Sequence, residues 1–138
     1  MMKWFLHRAI GRFARHYDYD ATYMHDIVDT SVKAALALNH LPKLSQYRGP
    51  RAARDVWAGA VLASTLEGDC GPCAQLVVDM AIEAGVDRTA LQACATGQAE
   101  PGSDLALGHD FARACIAGDL EADTLRAEIA RRYGQEAV

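Results

Sequence analysis

A chain of 138 residues that is 51% apolar, 23% charged and 7% aromatic has the composition of one ordinary soluble globular domain, which excludes disorder, collagen and repeat arrays. Folding at this length removes roughly 68% of the unfolded chain's surface from water, so a core can hold the chain without disulfide staples. Fourteen Lys and Arg against eighteen Asp and Glu give a net charge of -4, a sign that repels a phosphate backbone, and no nucleic-acid partner is expected.

The charge is uneven. Residues 1–16 hold Lys3, Arg8, Arg12 and Arg15 and no acid, whereas residues 17–138 hold ten bases and eighteen acids. The first segment reads as a basic amphipathic helix whose apolar face is drawn from Trp4, Phe5, Leu6, Ile10 and Phe13. An anionic membrane surface and the acidic remainder of the chain are both open to it. In a one-domain protein whose other helices need covering, the second is preferred and no membrane partner is expected. The uncharged run after Lys3 is too short for a secretory signal, and no stretch approaches the about eighteen apolar residues of a bilayer span. The expected location is the cytoplasm, with thiols mostly reduced.

Tyr17-Asp18-Tyr19-Asp20 breaks this helix, and Asp20 is the expected N-cap of a second helix running to about Asn39, where Leu41-Pro42 stops it. Lys43 to Pro50 reads as a loop. Ala52 to Leu66, rich in small residues, is a third helix ended by Gly68. A fourth begins around Cys70-Gly71-Pro72-Cys73 and closes at Gly85, a place that favours a left-handed residue. Asp87 caps a short helix over 88–96, Gly97 to Gly102 is a loop, and helices over 104–117 and 120–133 complete the chain. No run alternates long enough to argue for a strand. The prediction is one all-α domain over 1–138, of about seven helices without a linker.

The chemical landmark is Cys70 and Cys73, which flank Gly71-Pro72 at a helix start. The spacing lets two thiols meet in a small ring, while the free amides of the first turn favour a thiolate. A free thiol of pKa about 8.5 is only about 3% ionised at pH 7, and lowering that value by about one unit raises the fraction to roughly a quarter. Glu67 and Asp69 oppose this if their charges lie close. Pro72 is tolerated because first-turn amides have no helical partner to lose. The same four residues occur in thioredoxins, but the strand and βαβ pattern that fold requires are missing.

The stretch Glu67-Gly68-Asp69-Cys70-Gly71-Pro72-Cys73, followed by a helix to Ala84, Gly85-Val86-Asp87 and a short helix, resembles the core of the alkylhydroperoxidase D-like and carboxymuconolactone decarboxylase-like superfamily. The likeness spans about Pro50 to Ala117, includes a helix like Leu105 to Ile116, and leaves the basic N-terminus unexplained. It implies an all-α fold, assembly as a trimer or hexamer, and Cys70 and Cys73 as the redox pair. Thiol-active members continue as Cys-x-x-Cys-x-x-x-His; here Val77 stands at the histidine place and Ala58 at that of an upstream relay glutamate. Acid–base help of this kind is worth about 10²- to 10⁴-fold, so a peroxidase using the relay is impaired, whereas disulfide exchange proceeds without a dedicated base.

Candidate auxiliary acid–base groups are Glu67, Asp69, His25 and His109, each histidine being followed by an aspartate. Acids beside a helix start are more often caps or dipole partners, and a lone histidine is more often a surface or satisfied one. Gln75 reads as exposed, Asp55 as part of its own helix's first turn, Trp4 and Trp57 as packing residues, and His7, His16 and His40 as surface or helix-end residues. Cys94 and Cys115 stand alone on separate helices, unlike zinc ligands, and read as buried inert thiols. No metal and no cofactor is expected, since no phosphate loop, Ser-His-Asp set or dinucleotide fingerprint occurs. The leading expectation is a homo-oligomer in which Cys70 and Cys73 cycle between dithiol and disulfide against a disulfide or hydroperoxide, protein or small molecule. Its rivals are a scaffold that lost the relay, and a cofactor-free enzyme of the decarboxylase branch.

Overall fold

The computed structural model describes residues 1–41, 43 and 47–138; Pro42 and residues 44–46 of the expected loop lie outside them. All regular structure among the described residues is helical. The α-helices are α1 (Met2–Tyr17), α2 (Thr22–Thr30), α3 (Val32–Leu38), α4 (Arg54–Glu67), α5 (Gly71–Glu83), α6 (Arg88–Ala95), α7 (Asp104–Ala117) and α8 (Glu121–Tyr133), with short 3-10 turns at Arg51–Ala53 and Gln135–Ala137. The chain divides into two compact units, Met1–Tyr47 and Arg48–Val138.

Among the described residues eight α-helices replace the expected seven, because the segment after Asp20 is not continuous. Ser31 takes an extended backbone, φ -156° and ψ 109°, and its hydroxyl accepts from Ala34 N–H at 3.2 Å, so it ends α2 and caps α3. Serine competes for backbone hydrogen bonds and so favours caps over helix interiors. Asp20 acts one residue ahead of the formal cap: its Oδ1 accepts from the Thr22 amide at 3.0 Å and the Thr22 hydroxyl at 2.6 Å.

In the first unit α1 packs on α2 and α2 on α3. Leu6, Ile10, Phe13 and Tyr17 of α1 are half-buried, at the helical spacing of one face, whereas Trp4 and Phe5 are exposed. The apolar face is thus narrower than predicted, and Trp4 is not a packing residue. Leu6, Ile10, Met24, Val28 and Leu38 line a cleft of about 260 Å³.

In the second unit α4 is the central element and packs most extensively on α7. A Cβ on Gly108 would overlap the Val56 carbonyl oxygen, and one on Gly59 would overlap that of Leu105 and lie 2.9 Å from His109 N. Val56 against Gly108 and Gly59 against Leu105 run in opposite chain directions, so the helices cross antiparallel with their backbones in contact. Only glycine permits this approach. On one side Ala58, Leu62, Ala81, Val86, Leu91, Cys94 and Leu105 form a buried cluster, with Trp57, Val77 and Ile82 packed on it. On the other, Val56, Leu107 and Ile129 meet Phe111, Leu125 and Tyr133. As predicted, Asp87 caps α6 through Ala90 N–H and Gly85 closes α5 with φ 93°; Ser103, not singled out in the sequence, caps α7 through Ala106 N–H.

Candidate functional site

The connection from α4 to α5 is only Gly68, Asp69 and Cys70. Asp69 turns the chain with a left-handed φ of 48°, a region in which Asp and Asn are enriched among non-glycine residues. Its N–H bonds to the Leu66 carbonyl at 3.1 Å. Cys70 then takes an extended backbone, φ -108° and ψ 91°, as the N-cap of α5.

Cys70 and Cys73 therefore occupy the N-cap and third helical positions, the two places a capping box joins. Here they are joined by a disulfide, with Cα atoms 5.3 Å apart, inside the usual range. Both cysteines are half-buried, and Gly68, Asp69, Gly71 and Pro72 around them are exposed. Cys70 has no side-chain oxygen to cap the helix, and no side-chain cap bond is made. The first helical bond is Ala74 N–H to the Cys70 carbonyl, 2.9 Å. The amides of Gly71 and Cys73 therefore precede the helical ladder at the end of the helix where the disulfide sits.

Glu67, the last residue of α4, and Asp69 are both exposed at this turn. His109 lies elsewhere on α4's length: its amide sits against Gly59, about 12 Å along the helix from Glu67 at the ordinary helical rise. Its Nδ1 is paired with Asp110 at 3.2 Å, and its side chain is 16% exposed. Ala58 and Val77 lie in one apolar cluster, so packed methyl groups stand where a proton relay was sought. Gln75 is exposed and donates to Asp79 at 3.0 Å. Asp55 accepts from Arg54 Nε at 2.7 Å, and Trp57 packs on the core beneath Arg48, whose guanidinium carbon is 4.6 Å from the ring centre. Cys94 is buried, and burial, aided by the charge of Asp110, pushes its thiol up. Cys115 is exposed, contrary to the expectation of a buried thiol.

His25 belongs to the first unit, where its Nδ1 faces His7 Nδ1 at 2.6 Å. The rings are 13° from parallel with centres 4.9 Å apart, the spacing of two imidazoles meeting edge to edge rather than face to face. His7 Nε2 is 3.1 Å from Asp29 Oδ1, and Lys3 Nζ donates to the Asp29 carbonyl at 2.8 Å. Only one proton fits between the two Nδ1 atoms, so one imidazole donates and the other accepts. Among the described residues no group of three or more His, Cys, Asp or Glu is placed to hold a metal. Sequence reading missed His7 as a partner. Its signal was faint: His7 follows Lys3, and Asp29 follows His25, by one helical turn each.

No family model, curated protein or solved structure matches the chain.

Proposed function

We propose that Cys70 and Cys73 form a thiol–disulfide redox centre of the alkylhydroperoxidase D-like kind, in a homo-oligomer as that resemblance implies. The observation that supports this is their meeting at the N-cap and third position of α5, on an exposed turn, with the Gly71 and Cys73 amides free of helical bonds. A thiolate on Cys70 supplies the acceptor this helix start lacks, which makes Cys70 the nucleophile and Cys73 the resolving thiol. The Cys70 thiolate attacks a substrate disulfide and one substrate thiolate leaves. Cys73 then attacks Cys70 Sγ, releasing the second substrate thiol and closing the Cys70–Cys73 bond, with two electrons passed to the substrate. A dithiol from a reducing compartment such as the cytoplasm returns the pair to its starting state.

With Ala58 and Val77 packed as methyl groups, a hydroperoxide is the slower oxidant. The thiolate takes one peroxide oxygen to become a sulfenic acid and releases the alcohol; condensation with the neighbouring thiol then expels water. The same two residues favour a second reading, a scaffold that kept the fold and lost the chemistry.

A titration of the purified protein against dithiothreitol redox buffers decides between them. Reversible two-electron behaviour, abolished in both Cys70→Ser and Cys73→Ser, is expected of the redox centre. A disulfide that stays oxidised throughout and exchanges with no added thiol overturns it in favour of the scaffold.

A further inference from the structure

The outward face of α1 sets exposed aromatic rings beside arginines. No residue of α1 is buried. The helix turns Leu6, Ile10 and Phe13 inward, and turns Trp4, Phe5, Arg8, Arg12 and Arg15 outward. Trp4 is 60% and Phe5 59% exposed, their rings edge to face at 4.9 Å. The Arg8 guanidinium carbon lies 5.6 Å from the Trp4 ring centre. Met1 and Met2 extend the apolar tip and are exposed too. The helix holds no acid, and among the described residues no ion pair joins Arg8, Arg12 or Arg15 to a carboxylate. The exposed rings are costly to leave facing water, the arginines beside them have no carboxylate partner among the described residues, and one environment that is apolar below and anionic above receives both.

We infer that this face of α1 docks on the surface of an anionic lipid bilayer. The helix is about 24 Å long at the ordinary rise and lies flat rather than crossing; among the described residues no helix is long and apolar enough to span a membrane. Trp4, Phe5 and the two methionines enter the boundary between headgroups and acyl chains, the depth at which amphipathic aromatic rings settle. Arg8, Arg12 and Arg15 stay at the phosphates, where an ionic attraction of one sign runs the length of the helix. The charge complementarity is local, since α1 carries Lys3, Arg8, Arg12 and Arg15 and no acid, and the exposed apolar tip of Met1, Met2, Trp4 and Phe5 selects a lipid surface over a phosphate backbone, which offers no apolar layer to receive it. A flat anionic plane meets all the arginines at once. The first unit's inner packing stays intact, since Leu6, Ile10 and Phe13 are on the opposite face.

Flotation of the full chain with phosphatidylcholine vesicles, with and without phosphatidylserine, tests this. Binding is expected only with the anionic lipid, and it falls as salt shortens the Debye length from about 8 Å at physiological strength to about 3 Å at 1 M. Arg12→Gln and Arg15→Gln each lower the partition coefficient about fivefold, and Trp4→Ala with Phe5→Ala lowers it at least about tenfold. Lys33→Gln, on exposed α3, leaves it unchanged, with helical content by circular dichroism equal in every variant. The salt series needs no variant, so misfolding cannot mask the answer. Failure to float with anionic vesicles, equal binding to neutral ones, or indifference to the arginine changes overturns the inference. So does an oligomer that Arg12→Gln and Arg15→Gln dissociate without lipid, which would assign this face to a second copy.

Discussion

Among the described residues, Met1–Tyr47 buries two apolar side chains, Ala21 and Val28, whereas Arg48–Val138 buries fifteen, among them Leu62, Leu91 and Ile129 with no measurable exposure. The first unit carries six Lys and Arg against four Asp, the second eight against fourteen acids. In the first, hydrogen bonds through Lys3, His7, His25 and Asp29 tie α1 to α2. In the second the tie is steric, around a crossing so close that two backbones touch. The same helical alphabet thus gives one region whose stability rests on complementary shape and another that keeps much of its apolar and cationic surface outside.

The contrast predicts unequal responses to similar changes. Leu62→Ala and Leu91→Ala, both at fully buried sites of the larger cluster, are expected to cost about 2–5 kcal/mol each, the lost transfer energy plus a cavity term. Leu36→Ala, on a 41% exposed residue of α3, is expected to stay within about 0.5 kcal/mol. Urea unfolding with unchanged m-values measures both. Equal effects at Leu36 and Leu62 would break the comparison.

Glycine gives a test in which even the sign differs. Ala at Gly59 or Gly108 drives a methyl into the facing backbone, and backbone cannot step aside as a side chain does; about 1–3 kcal/mol is lost at each site. At Gly11 the nearest atom to an added Cβ is the flexible end of Arg15, at an ordinary 3.5 Å. Gly11→Ala therefore gains roughly 0.5–1 kcal/mol from helix propensity. Thermal midpoints that fall for the first two and rise for the third sharpen the distinction between the units.

Much of this architecture was legible in the sequence. The second unit's helix ends follow from Gly68, Gly85, Asp87 and Gly118, because caps and left-handed glycines act over a few neighbouring residues. The cysteine site was legible for the same reason: both residues lie within one turn. What escaped is whatever depends on partners far along the chain. The role of Gly59 and Gly108 requires knowing that α4 crosses α7, and His7 with His25 requires the register of α1 on α2. Ser31 was missed because a serine inside an apolar period does not announce whether it caps or continues a helix. Trp4 and Phe5 were assigned inward because period alone cannot say where an apolar stripe stops.

Thiol accessibility separates the burial of one helix face from the exposure of another within the larger unit. Cys94 faces the core, and burial first, then Asp110, holds its thiol above the ordinary value. Without reductant Cys115 is expected to react with iodoacetamide at once, and Cys94 more slowly by about a thousandfold or more, as its modification waits for opening of the core. Intact mass should show one adduct on the native protein, two after denaturation and four after reduction as well. A native protein that takes two adducts at equal rates would show that the cluster around Leu91 and Leu105 is not closed.

The smallest expected effect is electrostatic and sits on α8. Glu128 accepts from Arg131 at 2.7 and 2.8 Å and from Arg132 at 2.7 Å, bonds that hold its carboxyl at about 2 against an ordinary 4.5. Arg132 also reaches Asp104 at 3.1 Å, and Tyr133 donates to the same carboxylate, so the network ties α8 to the start of α7. Because the folded value is the lower one, the unfolded chain takes up the proton first on acidification. The stabilisation is complete above about pH 4.5 and is lost as pH falls towards about 2. The groups are exposed, so water and salt screen the effect strongly. Glu128→Gln should therefore lower the thermal midpoint slightly at neutral pH and not at all near pH 2, with the gap narrowing in added salt. In the first unit Asp20 is lowered by its bonds to Thr22, and Asp20→Asn keeps a capping oxygen there. It should flatten the acid dependence of that unit while costing little at neutral pH. A midpoint gap for Glu128→Gln that persists undiminished at pH 2 would mean that the substitution does not act through the carboxylate's charge, and no gap at any pH would mean that α8 is held by its apolar contacts with Val56 and Leu107 and not by this ionic network.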